Sequence, residues 1–162
     1  MDLIIGGAYQ GKLTLAAREY GLTPVLYAME PCRDRAALNA VAAQLRCPYL
    51  LLEAGSNGTE IVALIRRMSL VIAMRLHTLI FAAGQGIPLA GVVYDPKVSA
   101  FLRYIGQEQF VDLEALTEAG LRQMIDHCVA QSAHPEAQAE AVKRLQEMEQ
   151  RNVTTARRLL GM

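Results

Sequence analysis

Residues 69–106 read SLVIAMRLHTLIFAAGQGIPLAGVVYDPKVSAFLRYIG and decide the fold. Leu70-Val71-Ile72-Ala73 has the length and β-branched content of a buried strand, and Leu89 to Val93 repeats that pattern. Between them Leu76 to Ala83 reads as a helix, punctuated by Gly86 and Pro88, and Val98 to Ile105 reads as a second helix. Continuous apolar strands alternating with helices mean a mostly parallel sheet with both faces covered. Polar chemistry is then confined to the strand tips. Met74-Arg75-Leu76-His77 follows the first strand directly, and Tyr94-Asp95-Pro96-Lys97 follows the second. Ligands of open α/β sheets bind at the carboxyl ends of the strands, so Arg75, His77 and Lys97 are expected neighbours.

The same alternation extends to both sides. Strand-like runs at Leu3 to Ile5, Val25 to Met29 and Tyr49 to Leu52 are separated by amphipathic stretches at Lys12 to Tyr20, Arg33 to Leu45 and Thr59 to Met68. In the second stretch Ala36, Ala37, Ala40, Val41 and Leu45 recur at helical spacing. Ser56-Asn57-Gly58-Thr59 reads as a helix-starting loop. Gln109-Phe110-Val111 reads as a short edge strand, Leu113 to Val129 as a connection plus helix, and His134-Pro135 as a break. Glu136 to Leu160 predicts a long terminal helix with a thin apolar face of Ala139, Val142, Leu145, Met148, Val153, Ala156 and Leu160. Such a helix packs on the sheet or on a neighbouring helix, or docks a partner. The expected architecture is therefore α/β, a doubly wound, mostly parallel sheet with helices on both faces, right-handed crossovers and a long C-terminal helix. One domain of 162 residues accounts for it, divided into a glycine-loop unit (1–23), a core (24–134) and a terminal helix (135–162).

Composition narrows the function classes. A hydrophobic fraction of 52% with 20% charged residues is that of a packed domain and not of a disordered chain. Sixteen basic residues balance sixteen acidic ones, so no global field draws in nucleic acid or an anionic membrane, and any anion site must be local. The apolar runs are too short to span a bilayer, and the amino terminus lacks the basic start and cleavage site of a secretory signal, which makes the cytoplasm the expected compartment. Cys32, Cys47 and Cys128 are odd in number and widely spaced, arguing against a disulfide framework and a zinc site; no metal and no cofactor is expected. Cys32 lies in the loop Glu30-Pro31-Cys32-Arg33-Asp34 beside a cation that would lower a thiol pKa, but reads first as a small filler near a helix start. His127 and His134 receive no role. Glu30, Glu53 and Glu60 stand near strand ends or loops as candidate bases, and nothing selects among them.

Leu3-Ile4-Ile5 runs into Gly6-Gly7-Ala8-Tyr9-Gln10-Gly11-Lys12-Leu13, which has the glycine and lysine spacing of a phosphate loop. The following position should carry the hydroxyl that ligates magnesium, and Leu13 offers none; Thr14 comes one residue late, about 100° around a helix. Two readings stay open. Gly6, Gly7, Gly11 and Lys12 form an anion-binding loop of backbone N–H groups plus an ammonium, or the glycines serve only a tight strand-to-helix turn. A nucleotide-binding, kinase-like protein acting through Lys12 is the corresponding alternative function. A non-catalytic Rossmann-like module is another.

Met-Arg-Leu-His, Leu-Ile-Phe-Ala-Ala, Gly-Ile-Pro, Tyr-Asp-Pro-Lys-Val and Phe-Leu-Arg-Tyr-Ile-Gly together resemble the carboxyl-terminal half of a polysaccharide pyruvyl transferase. The resemblance extends more weakly from about Pro24 to the end of the chain, through Pro24-Val25-Leu26-Tyr27-Ala28-Met29 and Asp34. The opening Asp-Leu-Ile-Ile-Gly-Gly-Ala-Tyr-Gln-Gly-Lys-Leu is instead similar to the start of cobinamide-kinase-like proteins, over residues 1–21. Such a joint would be shown by a recombined, truncated or engineered chain.

Several expectations follow from the pyruvyl transferase resemblance. It implies one half of a GT-B fold, two Rossmann-like domains around a cleft, and transfer of pyruvate from phosphoenolpyruvate to a cell-wall or exopolysaccharide sugar as a ketal bridging two hydroxyls. Matching positions make His77 the phosphate ligand and acid or base, a task for a group that titrates near neutrality. They make Lys97 a mobile point charge on phosphate or carboxylate, let Arg75 fork onto a carboxylate or brace its loop, and let Asp95 orient Lys97. Phosphoenolpyruvate and a saccharide acceptor are the implied partners, together with the missing amino-terminal domain or a homo-oligomer. Half an active site binds its ligand without turnover being assured, because rate enhancement needs groups on both sides of the transition state.

Overall fold

Apolar runs become six parallel strands in the protein, whose computed structural model describes residues 2–6, 18–53 and 57–161. The strands are β1 (Asp2–Gly6), β2 (Thr23–Ala28), β3 (Leu50–Glu53), β4 (Leu70–Ala73), β5 (Leu89–Val93) and β6 (Phe110–Asp112). Their order across the sheet is β3-β2-β1-β4-β5-β6. β1 is thus central, with Ile5 opposite Leu26 of β2 and Gly6 opposite Ala73 of β4. The chain winds outward from β1 to β3 on one side and from β4 to β6 on the other, which is the doubly wound order and puts the topological switch point between β1 and β4.

Among the described residues the longer helices are α1 (Pro31–Ala42), α2 (Gly58–Ile65), α3 (Leu76–Gly84), α4 (Pro96–Tyr104), α5 (Glu118–Ser132) and α6 (Pro135–Leu159). Successive strand residues face opposite ways, and this period of two divides the core cleanly. Leu26, Ala28, Leu70, Ile72, Ala90 and Val92 face α1 and α5 through Leu38, Val41, Leu121, Met124, Ile125 and Cys128. Val25, Tyr27, Val71, Ala73, Leu89 and Val93 face α2, α3 and α4 through Ile65, Leu79, Ala82, Val98 and Leu102. The expected parallel sheet with helices on both faces is the one observed.

Local chemistry sets the helix bounds. α1 starts at Pro31 and α4 at Pro96, each ahead of the apolar periodicity, because a proline's fixed φ and missing N–H suit the first helical position. Asn57 accepts the Thr59 N–H at 3.0 Å and starts α2 within the loop expected to do so. Gly86 (φ +67) and Gly106 (φ +76) end α3 and α4 in the left-handed conformation, so that the amides of Ile87 and Gln107 turn back onto the carbonyls of Ala82 and Leu102.

Burial on both faces does not hold for every strand. β3 occupies the sheet edge, and Leu50 and Leu51 are 50% and 43% exposed. An apolar run has the same appearance at an edge as at the centre. The terminal helix α6 buries no residue completely; Val142, Leu145 and Met148 are half-buried, while Val153, Leu159 and Leu160 are exposed. Among the described residues no helix is long and apolar enough to cross a membrane.

Candidate functional site

The carboxyl edge of the sheet gathers the polar residues singled out by the sequence. Arg75 is the residue before α3, and its carbonyl accepts the Leu79 N–H at 3.3 Å. His77 is the second residue of that helix and is exposed, with its ring tilted 40° to Phe81 at a centroid separation of 6.5 Å. Among the described residues no hydrogen bond or ion pair to the His77 imidazole is present, and the exposed ring stands at a helix start where backbone dipoles favour an anion. Lys97 occupies the equivalent place, second residue of α4, after the adjacent strand β5.

Asp95 and Tyr94 hold Lys97 between them. The Asp95 carboxylate accepts the Lys97 backbone N–H at 2.9 Å and pairs with the Lys97 ammonium at 3.3 Å. These contacts hold Asp95 below the ordinary carboxylate range, the backbone N–H having the largest effect. The Lys97 Nζ stands 5.9 Å from the Tyr94 ring centroid, at the outer limit of a cation–π contact. Tyr94 is also in electrostatic reach of Arg75.

Arg75 is committed to its own chain. Its Nη2 donates to Asp34 Oδ1 at 2.5 Å, and its Nη1 meets Glu30 Oε2 at 3.0 Å. The Asp34 hydrogen bond is the main reason that the guanidinium is held charged even more firmly than usual, against the opposing effect of burial. These ion pairs tie the turn after β4 to the start of α1. Glu30 and Asp34 follow β2, which β1 separates from β4, so the ion pairs cross the carboxyl end of β1. Gly6 ends that strand there; Gly7, Gly11 and Lys12 lie outside the described residues.

Other candidates stand along the β2 and β3 side of the same edge. Glu53, at the end of the edge strand, pairs with Arg35 at 2.7 Å, and Glu60 is in the first turn of α2. Cys32 is exposed in the first turn of α1. Asp34 enters the sequence reading only through the weaker resemblance, and its pairing escapes that reading because an acid in a helix's first turn is commonplace and its partner is 41 residues away. Among the described residues no group of His, Cys, Asp and Glu could hold a metal.

Two hollows differ in chemistry. A cleft of about 470 Å³ beside Lys97 is lined by Tyr94, Asp95, Pro96, Ser99, Asp112 and Glu114. Its carboxylates repel phosphate and accept hydrogen bonds from hydroxyls. A crevice of about 240 Å³ lies at the opposite, amino edge, between α6 and Ala83, Ile87, Leu89 and Ile105, and has Arg144 as its charged side chain. It is remote from the strand tips where the sequence concentrates polar groups.

The family model of the polysaccharide pyruvyl transferases matches residues 50–96, from the start of β3 to the first residue of α4, and stops one residue short of Lys97. No curated protein matches the chain in sequence. Among solved structures, a UDP-GlcNAc 2-epimerase from Neisseria meningitidis bound to UDP-GlcNAc superposes with a TM-score of 0.54 at 12% identity, over 87% of this chain and 38% of that one. The glycosyltransferase SnogD from Streptomyces nogalater gives 0.44 at 19% identity, over 88% and 41% of the two chains. The glycosyltransferase SsfS6 from Streptomyces sp. SF2575 gives 0.46 at 15% identity, over 88% and 36%. The chain spans about two-fifths of the length of these structures. Such identities bear on the fold alone. Together with the Met74-Arg75-Leu76-His77 turn and the Tyr94-Asp95-Pro96 turn that it contains, the match over residues 50–96 identifies this segment of the chain as similar to the polysaccharide pyruvyl transferase family.

Proposed function

We propose that the chain is a polysaccharide-modifying domain of pyruvyl transferase type, which receives phosphoenolpyruvate at the carboxyl ends of β4 and β5. The observation that carries this reading is the family match over residues 50–96, which contains the turn bearing Arg75 and His77 and ends at the turn bearing Lys97. His77 and Lys97 occupy equivalent positions at the starts of consecutive helices after neighbouring strands, where helix amides, an imidazole and an ammonium suit a small polyanion. The crowding of Arg75 by two carboxylates also supports a division of labour, with Lys97, His77 and the helix starts supplying the attraction and Arg75 the bracing.

In the proposed reaction a sugar hydroxyl adds to the enol carbon of phosphoenolpyruvate while the methylene carbon gains a proton. The bond to phosphate then breaks, and a second hydroxyl closes the ketal. One hydroxyl proton ends on the new methyl group and the other on phosphate. In this reading His77 delivers or accepts such a proton, and Lys97 neutralises the departing phosphate. The acid-lined cleft beside Lys97 suits the hydroxyl-rich acceptor better than the anionic donor. Because the chain spans two-fifths of the related structures, binding is the property to test. Calorimetry with phosphoenolpyruvate is expected to show binding by the wild type and a loss of roughly tenfold or more in His77→Ala and Lys97→Ala. Equal affinity in all three proteins, or none in any, would falsify the reading.

A further inference from the structure

We propose that Asp34 is a positioning residue of the anion site, fixing the Arg75 guanidinium and with it the turn that presents His77. This rests on the reading that the carboxyl edge binds a small anion. The Asp34 side chain is only 9% exposed, and each of its oxygens has a partner: Oδ1 accepts Arg75 Nη2 at 2.5 Å and Oδ2 accepts the Glu30 backbone N–H at 2.9 Å. Glu30 in turn meets Arg75 Nη1 at 3.0 Å, and its carbonyl accepts the N–H groups of Arg33 and Asp34 at 2.9 Å each. The start of α1 is thereby a closed frame that grips the guanidinium on two of its nitrogens. A carboxylate this deeply buried is costly without its partner, so the frame persists where an exposed ion pair would come and go.

The position of the frame points to the site. β2 and β4 are not neighbours; β1 lies between them, and the ion pairs span two strand spacings, roughly 10 Å, above the switch point. The hydrogen-bonded ladder fixes the strands but not the turns beyond their ends. Arg75 is the residue from which α3 starts, and His77 follows two residues later. Holding the guanidinium toward β2 therefore sets the direction in which the first turn of α3 faces.

Charge and geometry make opposite demands here, and that separates the explanations. Arg75, and Arg33 on the other oxygen of Glu30 at 3.5 Å, balance the charges of Asp34 and Glu30, so Asp34→Asn leaves the cluster net positive beside a proposed anion site. If Asp34 only lowered the local potential, Asp34→Asn would tighten anion binding. If it positions, the same change weakens binding although a negative charge has been removed.

The experiment uses the full chain with phosphoenolpyruvate as the calorimetric probe, and NMR of the Arg75 guanidinium and the His77 ring. Asp34→Asn is expected to lose roughly tenfold in affinity, to release the slowed rotation of the Arg75 guanidinium and to move the His77 ring signals. Glu30→Gln removes the half-exposed arm and is expected to act in the same direction more weakly; it decides the matter if Asp34→Asn does not fold. Unchanged or tighter binding in the folded variants overturns the proposal. If the wild type does not bind the probe, the functional reading fails by itself, and the positioning role is judged by NMR alone. Arg75 and His77 signals that are identical in wild type and variant overturn it; released rotation with shifted His77 signals sustains it.

Discussion

Asp95 performs two tasks with one carboxylate, capping α4 through the Lys97 amide and steadying the Lys97 ammonium. The second task is the one that the pyruvyl transferase resemblance implies for Asp95; the first is a local capping contact. Because the folded carboxyl is held below its ordinary value of 3.8, first by the backbone N–H and then by the lysine, the stabilisation is complete above that value. It is lost as the pH falls through the lower folded value. Asp95→Ala is expected to melt below the wild type at neutral pH, with a gap that narrows as the pH drops through the carboxylate range; a gap independent of pH in thermal melts removes this account. The Arg75 brace is different in kind. Its turn was visible in the sequence, but its partners were not, because pairing between residues 34 and 75 depends on which strands lie side by side, and no local pattern encodes that.

At the scale of elements, α4 lies so close to β5 that the strand has no room for a side chain at one position. A Cβ added to Gly91 would stand 2.3 Å from Leu102 Cδ1, and Leu102 is fully buried. Gly91→Ala is therefore expected to destabilise the fold by about 1–3 kcal/mol in urea denaturation, through overpacking. Leu102→Val in the same chain should recover part of the loss, and Gly58→Ala, where nothing lies within 4 Å, serves as the comparison. An undiminished midpoint in Gly91→Ala would mean that α4 is free to shift, and with it the turn carrying Lys97. The sequence made β4, β5 and their helices legible because apolar runs, prolines and glycines all punctuate at the same places. It did not disclose the strand order. Parallel strands are joined by crossovers that leave no trace in the local pattern, so placing β1 beside β4, and the switch point between them, required the assembled sheet. For the same reason the edge position of β3 was hidden behind its leucines.

For the molecule as a whole, the two layers of helices enclose the sheet so unevenly that its thiols report on different events. Cys128 is fully buried on α5 against the β4–β5 face of the sheet, and Cys32 is exposed at the start of α1. Burial alone pushes the Cys128 thiol up to about 12. The thiolate is the nucleophile that attacks a thiol reagent, so exposed Cys32 is expected to react at once at mildly alkaline pH, while Cys128 waits for an opening that separates α5 from the sheet. The pH dependence has a definite sign. A folded value raised above the unfolded one means that the stabilisation from burying the neutral thiol is complete below 9.0 and is lost as the pH rises toward about 12. Wild-type stability should therefore fall more steeply above pH 9 than that of Cys128→Ala, in urea titrations compared at each pH so that other alkaline groups cancel. Parallel pH profiles for the two proteins, or modification of Cys128 as fast as Cys32 under native conditions, would mean that α5 does not seal this face of the sheet. The layer opposite α2, α3 and α4 would then be a loose cover, and the strand ends bearing the proposed site would rest on one firm layer instead of two.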